Sequence, residues 1–201
     1  MVYDTTLNSI KNPVLNHRMR ETMALTQDWT RNYKKGDHVM HIYDTVEERD
    51  AALVDVLMWM DDGEILIQAS NHWGEREKSL FKEAYDAGRL TPIHPNGGPF
   101  NYLDALNSAL ERATNEGKKG VVLAFEVKHL HKFIGSIDGL MRYEVELNLR
   151  KFDLVTTILC QYDRSAFSPG ELQLAKSIHQ MKLEKGKLER NFWVVYNNYW
   201  K

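Results

Sequence analysis

The side chains of this chain that are suited to chemistry gather where predicted strands end. They are Tyr43, His72, Trp73, Glu126, Tyr162 and Asp163. Carboxylates, imidazoles and phenol hydroxyls serve either as acids and bases in catalysis or as anchors for a small ligand. Because ligands bind beyond the carboxyl ends of the strands in open parallel sheets, we expect these residues to line a site.

A nucleotide site is the first possibility to test at that edge. Phosphate binding needs a glycine-rich turn that leads into a helix, as in GxxxxGK[ST] or GxGxxG. The nearest segments, NHWG at 71–74 and NGG at 96–98, lack the lysine and the spacing. The sequence therefore predicts no nucleotide cofactor.

A metal site is the second possibility, since the chain has 8 histidines. His38 and His41 lie three apart on a predicted strand and should point to opposite faces. His129 and His131 could share an ion, but no third ligand is visible beside them, and zinc sites need three or four. No metal site is predicted, and His38 is interpreted as a hydrogen-bonded core residue.

A catalytic thiol or carboxylate pair is the third possibility. Cys160 lies in the apolar run LVTTILC, where a free cysteine usually behaves as a small hydrophobic residue. Glu126 could pair with Asp163 or Glu144, but no spacing requires it. No catalytic residue is predicted.

Composition limits the class of protein. The chain has 201 residues, 43% hydrophobic and 27% charged, which is typical of one soluble globular domain with additions. A net charge of −2 argues against a protein built mainly to coat nucleic acid. The single cysteine excludes an internal disulfide, and neither a signal peptide nor a membrane span is apparent. These features predict a cytoplasmic protein that does not enter membranes.

The order of elements predicts the fold. Strands are expected at 39–43, 64–70, 121–126 and 154–162, helices at 45–63, 75–87, 101–116, 137–149 and 168–180, a loop at 91–99, and a hairpin formed by 181–184 and 188–196. Strands that alternate with helices favour a three-layer α/β fold with a mostly parallel sheet. The hairpin would add an antiparallel edge.

Residues 1–35 are predicted to form a separate helical arm, and residues 36–201 the main domain. Leu15, Met19, Met23 and Trp29 recur at near-helical spacing, and the arm carries more Lys and Arg than Asp and Glu. We expect an amphipathic helix packed on the body or on a partner subunit. The alternative is an arm that binds nucleic acid or another protein.

Three segments point to a known family. These are GDHVMHIY at 36–43, RYEVELN at 142–148 and LCQYDRSAFSP at 159–169, with NYW at 198–200 as a further match. Together they resemble the methanogen/methylotroph sensory domain called MEDS, over about residues 36–200. The last of the three segments is the most specific.

The resemblance implies a RecA-like domain without a working phosphate loop. It also implies non-catalytic sensing of small hydrocarbon or one-carbon derivatives in the regulation of methanogenic or methylotrophic metabolism, and an archaeal source. By position, the ligand-binding candidates are His38, Tyr43, Glu126, Glu144, Cys160, Tyr162 and Asp163. A pocket walled by Tyr43, Trp73, Tyr143 and Tyr162 would bury the ligand.

The sequence departs from the family at Met40, where many relatives carry a cysteine. Relatives often carry a DNA-binding or kinase module, for which residues 1–35 are too short. We therefore expect the signal to pass to a protein partner or to act through a homo-oligomer. Two alternatives stay open: an enzyme using the His38, Glu126 and Asp163 rim, and an interaction module acting through the first helix.

Overall fold

The computed structural model describes residues 29, 34–70, 73–94 and 99–191, which form one sheet covered by helices on both faces. The strands are β1 (His38–Tyr43), β2 (Glu64–Ala69), β3 (Leu90–Ile93), β4 (Gly120–Glu126), β5 (Val155–Asp163), β6 (Met181–Glu184) and β7 (Lys187–Arg190). The helices are α1 (Val46–Trp59), α2 (Glu75–Asp86), α3 (Pro99–Asn115), α4 (Val127–Ile134), α5 (Ile137–Leu149) and α6 (Pro169–Lys176).

The seven strands pair in the order β3-β2-β4-β5-β1-β6-β7. All neighbours run parallel except β6 and β7, which form the antiparallel hairpin. This confirms the predicted three-layer α/β fold with its antiparallel addition.

Two apolar cores lie on the two faces of the sheet. One core packs α1 and α2 against side chains such as Val39 and Leu159. The other packs α3 to α6 against side chains such as Met40 and Tyr162. Because successive strand residues point to opposite faces, β1 and β5 send alternate side chains into each core. Met40 is fully buried in the second core and lies opposite Cys160 in the register.

Two local predictions are wrong, and one helix was not predicted. The expected loop at 91–99 begins inside β3, where Pro92 is tolerated because only β2 pairs with this edge strand. Helix α4 was not predicted; it follows β4 directly and is capped at its C-terminus by Gly135, whose φ of 79° suits glycine. Helix α6 ends at Lys176 instead of near 180, so His179 lies outside it.

The turn after β1 is short and contains no glycine. Asp44 and Thr45 alone join β1 to α1, and the Thr45 hydroxyl accepts a hydrogen bond from the Glu48 N–H. A phosphate-binding loop between a strand and a helix needs a longer glycine-rich segment. This connection therefore has no room for one.

Part of the N-terminal arm packs on the body. Trp29 is buried in the α1–α2 core, and its indole N–H donates to Asp55 Oδ2 at 2.7 Å. The predicted arm helix otherwise lies outside the described residues. Among the helices of the described ranges, none has the length and hydrophobicity needed to cross a bilayer.

Candidate functional site

The structure divides the predicted ligand-binding residues between the two faces of the sheet. His38, Cys160 and Tyr162 point towards the α3–α6 side, whereas Tyr43 and Glu126 lie on the side of α1 and α2. The predicted single pocket walled by Tyr43, Trp73, Tyr143 and Tyr162 is therefore wrong, because strand alternation places Tyr43 and Tyr162 on opposite faces of the sheet. His72 lies outside the described residues. Most of the predicted residues instead belong to two separate polar groups, whereas Trp73 lines a groove and Tyr143 packs against the α3–α6 core.

The first group is a buried cluster of four side chains that we call the His–Cys–Glu cluster: His38, Glu144, Cys160 and His179. One ligand atom from each lies within 4.8 Å of every other. The Cys160 Sγ atom is 3.2 Å from both His38 Nε2 and Glu144 Oε2. Glu144 Oε2 is 3.3 Å from His38 Nε2 and 3.6 Å from His179 Nε2. Hence the four donor atoms surround one small space.

Glu144 is placed in this cluster by α5. Ser136 caps the helix by accepting a hydrogen bond from the Gly139 N–H, and Glu144 follows two turns later with no exposed surface. The Tyr162 hydroxyl donates to Glu144 Oε1 at 2.9 Å, which leaves Oε2 facing the cluster. Burial alone would raise the pKa of Glu144, but the neighbouring His179 and His38 rings and the Tyr162 hydroxyl lower it to about 2.

The two imidazole rings are oriented by hydrogen bonds at Nδ1. Asn148 donates through its amide nitrogen to the Ile178 carbonyl, so its Oδ1 must accept from His38 Nδ1 at 2.9 Å. His179 Nδ1 donates to the Ala175 carbonyl at 2.8 Å. Both rings therefore direct an Nε2 lone pair into the cluster. Within the described residues, His179 Nε2 has no hydrogen-bond partner.

Cys160 is not the simple hydrophobic residue that the sequence predicts. Its strand is apolar, but residue 160 alternates onto the face where α5 presents Glu144. Burial and the adjacent Glu144 carboxylate raise the pKa of the thiol well above its usual value. In the absence of a bound cation the sulfur is thus a thiol and not a thiolate.

The sequence identified three members of the cluster separately and missed the fourth. His38, Glu144 and Cys160 were predicted as ligand-binding residues, but His179 was expected inside a helix. The prediction of no metal site considered only histidine pairs close in sequence. The structure instead gathers two imidazoles, a thiol and a carboxylate from distant segments, and such a set could hold a metal ion.

The second group surrounds Glu126, the last residue of β4, and we call it the Glu126 network. Glu126 accepts hydrogen bonds from Ser70 Oγ at 2.7 Å and Arg49 Nη1 at 3.4 Å, and Lys128 Nζ lies 3.1 Å away. The Tyr43 hydroxyl also donates to it at 3.4 Å. Burial opposes the charged carboxylate, but hydrogen bonds from His129 and Ser70 and the charge of Arg49 hold the pKa of Glu126 well below its usual range.

Arg49 links the Glu126 network to further buried carboxylates. Its guanidinium donates to Glu77 Oε1 and Asp50 Oδ1, at 2.7 Å and 2.9 Å respectively. Arg76 lies 3.1 Å from the other oxygen of Asp50. Cations and carboxylates therefore alternate through the network, as buried charges require.

Asp163 has a local structural role. Its Oδ1 accepts hydrogen bonds from the Ser165 N–H and hydroxyl, which cap the short 3-10 turn of Arg164–Ala166. Its other oxygen pairs with Lys128 at 3.0 Å. Lys128 thus joins Asp163 to Glu126 at the edge where ligands were expected.

Trp73 is the predicted residue that lines an open groove. The groove has a volume of about 550 Å³ and is bordered by Trp73, Lys78, Lys82, Tyr85, Asp86, Pro92 and His94. Trp73 stacks on Phe81 at 5.8 Å between ring centroids. His94 Nδ1 bonds to the Ser70 carbonyl, and the hydroxyl of Ser70 reaches Glu126. The groove is therefore joined to the Glu126 network through one residue.

Comparisons with known proteins agree with the resemblance noted above. A family model described as "MEthanogen/methylotroph, DcmR Sensory domain" matches residues 37–180. A search of curated proteins finds no match. The crystal structure of the flagellar accessory protein FlaH from Methanocaldococcus jannaschii is similar in fold, with 11% identity, a TM-score of 0.50, and coverage of 80% of this chain and 81% of that chain. A Pyrococcus horikoshii OT3 protein has 12% identity and a TM-score of 0.47, covering 83% of this chain and 86% of that one.

Proposed function

This chain belongs to the MEDS family of sensory domains, and we propose that it senses a small hydrocarbon or one-carbon derivative without transforming it. The observation that carries the proposal is the family match over residues 37–180. We propose further that the domain acts in the cytoplasm, where a free thiol such as Cys160 stays reduced, and regulates one-carbon metabolism.

The groove beside Trp73 is the proposed entry point for the ligand. An apolar compound would pack on the Trp73 ring, and His94 offers a polar group at the groove wall. Burial yields roughly 25 cal/mol per Å² of apolar area, so a one-carbon compound binds weakly unless a polar contact anchors it. A signalling domain that responds to millimolar metabolite needs no tighter binding.

The protonation states of Glu126 and Cys160 support ligand binding over catalysis. Glu126 is a poor general base because Arg49, Lys128 and Ser70 stabilise its charged form. Cys160 is a poor nucleophile because its thiol is buried and holds its proton. Neither group has the matched pKa that acid–base or covalent catalysis requires.

One observation favours an enzyme different from the predicted one, whose His38 and Glu126 lie on opposite faces of the sheet. Cys160, His38 and Asn148 are connected as thiol, imidazole and amide, at 3.2 Å and 2.9 Å, in the order used by Cys–His–Asn hydrolases. The full burial of Cys160 and the Glu144 carboxylate at 3.2 Å argue against this function. We therefore keep it as the second candidate.

The signal is proposed to pass to a protein partner or to a second copy of the chain. The interaction-module alternative depends on the N-terminal arm, which lies mostly outside the described residues, and stays a prediction. Deleting residues 1–28 and measuring mass by light scattering would test whether the arm mediates association.

The sensing proposal can be tested by ligand-observed NMR with four probes: methanol, methylamine, dimethyl sulfide and dichloromethane. We expect saturable binding of at least one probe, lost in Trp73→Ala and retained in Leu174→Ala, an exposed position on α6. The probes should be recovered unchanged after prolonged incubation. Consumption of a probe would favour the enzyme alternative, and no binding up to tens of millimolar would contradict sensing of this ligand class.

A further inference from the structure

We propose that the His–Cys–Glu cluster binds one divalent transition-metal ion per chain, with Zn²⁺ the ion that best fits its donors. The ligands would be His38 Nε2, Glu144 Oε2, Cys160 Sγ and His179 Nε2. This site is independent of the groove beside Trp73 and goes beyond the sensing function proposed above.

The distances within the cluster match a tetrahedral centre. With Zn–N and Zn–O near 2.0–2.1 Å and one Zn–S near 2.3 Å, neighbouring donors in a tetrahedron lie about 3.3–3.6 Å apart. Four of the six separations in the cluster are 3.2, 3.2, 3.3 and 3.6 Å, and the other two, from His179 to His38 and to Cys160, are at most 4.8 Å. Small outward movements of the side chains would complete the coordination sphere.

The orientation of the lone pairs indicates a cation. Two imidazole Nε2 atoms and one carboxylate oxygen converge, and the thiol of Cys160 is the only proton donor among the four ligand atoms. His179 Nε2 is fully buried and accepts no hydrogen bond from any described residue. Three acceptors facing one donor leave buried lone pairs unsatisfied, and a metal ion would satisfy all of them.

Three of the four ligands, His38, His179 and Glu144, are held by a partner outside the cluster, as is usual for metal sites. Asn148 binds Nδ1 of His38, the Ala175 carbonyl binds Nδ1 of His179, and the Tyr162 hydroxyl binds the outer oxygen of Glu144. These contacts set the tautomers and aim the ligand atoms before any ion arrives.

The charges balance when the ion is divalent. On binding, the Cys160 S–H bond breaks, its proton leaves to solvent, and the sulfur electron pair forms the metal–sulfur bond. Thiolate and carboxylate then contribute two negative charges and the two imidazoles none. A divalent cation makes the centre neutral, which a dry core requires.

The donor types select the ion. Thiolate and imidazole ligands favour Zn²⁺ and related transition metals, whereas Mg²⁺ and Ca²⁺ prefer an all-oxygen site. Four protein ligands and nearly complete burial are typical of a closed structural site. The ion would join β1, β5, α5 and the segment before β6, which are distant in sequence.

Metal analysis and cobalt substitution test the proposal on the full chain. After denaturation, chelation and refolding, the apo protein is titrated with Co²⁺ and separately with Zn²⁺. We expect one ion per chain, intense visible cobalt bands of a tetrahedral site, and a thiolate-to-cobalt charge-transfer band. Zn²⁺ should displace Co²⁺, raise the melting temperature and release about one proton, whereas Mg²⁺ should have none of these three effects.

Variants assign the ion to the cluster. Cys160→Ser should abolish the charge-transfer band, and His179→Gln should weaken Co²⁺ binding at least tenfold. His41→Gln is the matched control, because His41 is equally buried on β1 but faces away from the cluster. Full binding by His41→Gln supports the proposal.

The Co²⁺ and Zn²⁺ titrations of the wild-type protein test the metal-site proposal even if a variant fails to fold. Less than one ion per chain, cobalt spectra without a thiolate band, or unchanged binding in Cys160→Ser would overturn the proposal. A negative result for the metal site would not affect the probe-binding experiment at Trp73. The metal-site proposal and the sensing proposal are therefore tested independently.

Discussion

Cys160 differs from an ordinary core cysteine because polar atoms surround its sulfur. His38 Nε2 and Glu144 Oε2 both lie 3.2 Å from Sγ, although the strand around it is apolar. Residue type and burial alone do not reveal this environment. The surroundings of the side chain decide whether such a thiol is inert, reactive or a ligand.

We predict that Cys160 reacts slowly with iodoacetamide in the native protein. Burial and the Glu144 carboxylate raise its pKa, and alkylation requires opening of the core. The rate should be roughly a hundredfold or more below that of the chain unfolded in guanidinium. Mass spectrometry of samples quenched over time, with EDTA present, measures both rates. Equal rates would contradict the burial of the thiol and favour the enzyme alternative.

Glu126 makes a pH-dependent contribution to stability. Its pKa is lowered on folding, so the contribution is complete above the unfolded pKa, near 4.3, and disappears as the pH falls through the folded pKa. Glu126→Gln should therefore lower the free energy of unfolding by about 1–3 kcal/mol at pH 7. The difference from wild type should shrink below about pH 4.

Urea denaturation of both proteins at several pH values checks this expectation. Glu111→Gln, an exposed change on α3, is the matched control and should have little effect at any pH. A difference between wild type and Glu126→Gln that does not vary with pH would show that the carboxylate charge contributes nothing.

Helices, strands and turns could be predicted where a few adjacent residues define them. Ser168 and Glu171 form the capping box that begins α6. The turn between β6 and β7 was expected at residues 185–187, one residue longer than the observed turn of Lys185 and Gly186. Strand β3 was missed because Pro92 is a loop signal everywhere except at a sheet edge. Edge position is a property of the whole sheet and not of four residues.

The β6–β7 turn allows a paired test of backbone strain. Lys185 and Gly186 have φ values of 50° and 72°, in the left-handed region that disfavours most side chains. Gly186→Ala should lower the free energy of unfolding by about 1 kcal/mol, and Lys185→Asn should raise it by several tenths. Thermal or urea unfolding of the two variants measures both effects. The same sign for both would contradict this interpretation of the turn.

At the scale of the whole molecule, Trp29 connects the predicted N-terminal arm to the body. Trp29 is buried in the core beneath α1 and donates to Asp55 from that position. The described body therefore includes at least one residue of the arm. Trp29→Ala should cost about 3–5 kcal/mol of stability through the cavity it leaves.

Equilibrium unfolding followed by circular dichroism measures this cost. Tyr85→Ala provides the control, because Tyr85 is an aromatic residue with 54% of its surface exposed and should change stability by less than about 0.5 kcal/mol. Equal effects of the two substitutions would mean that Trp29 adds nothing to the core.

The amino-acid sequence by itself determined the fold class and the opposite faces of His38 and His41, and it provided the motifs of the family. These features depend on side-chain alternation, caps and strings of adjacent residues, all of which act over a few positions. The tertiary structure alone decided that residues 38, 144, 160 and 179 meet, because strand order and helix placement bring them together. The tertiary structure likewise placed Tyr43 and Tyr162 on opposite faces of the sheet, because the register between β1 and β5 pairs Tyr162 with Ile42 and not with Tyr43. Local sequence patterns do not specify that register.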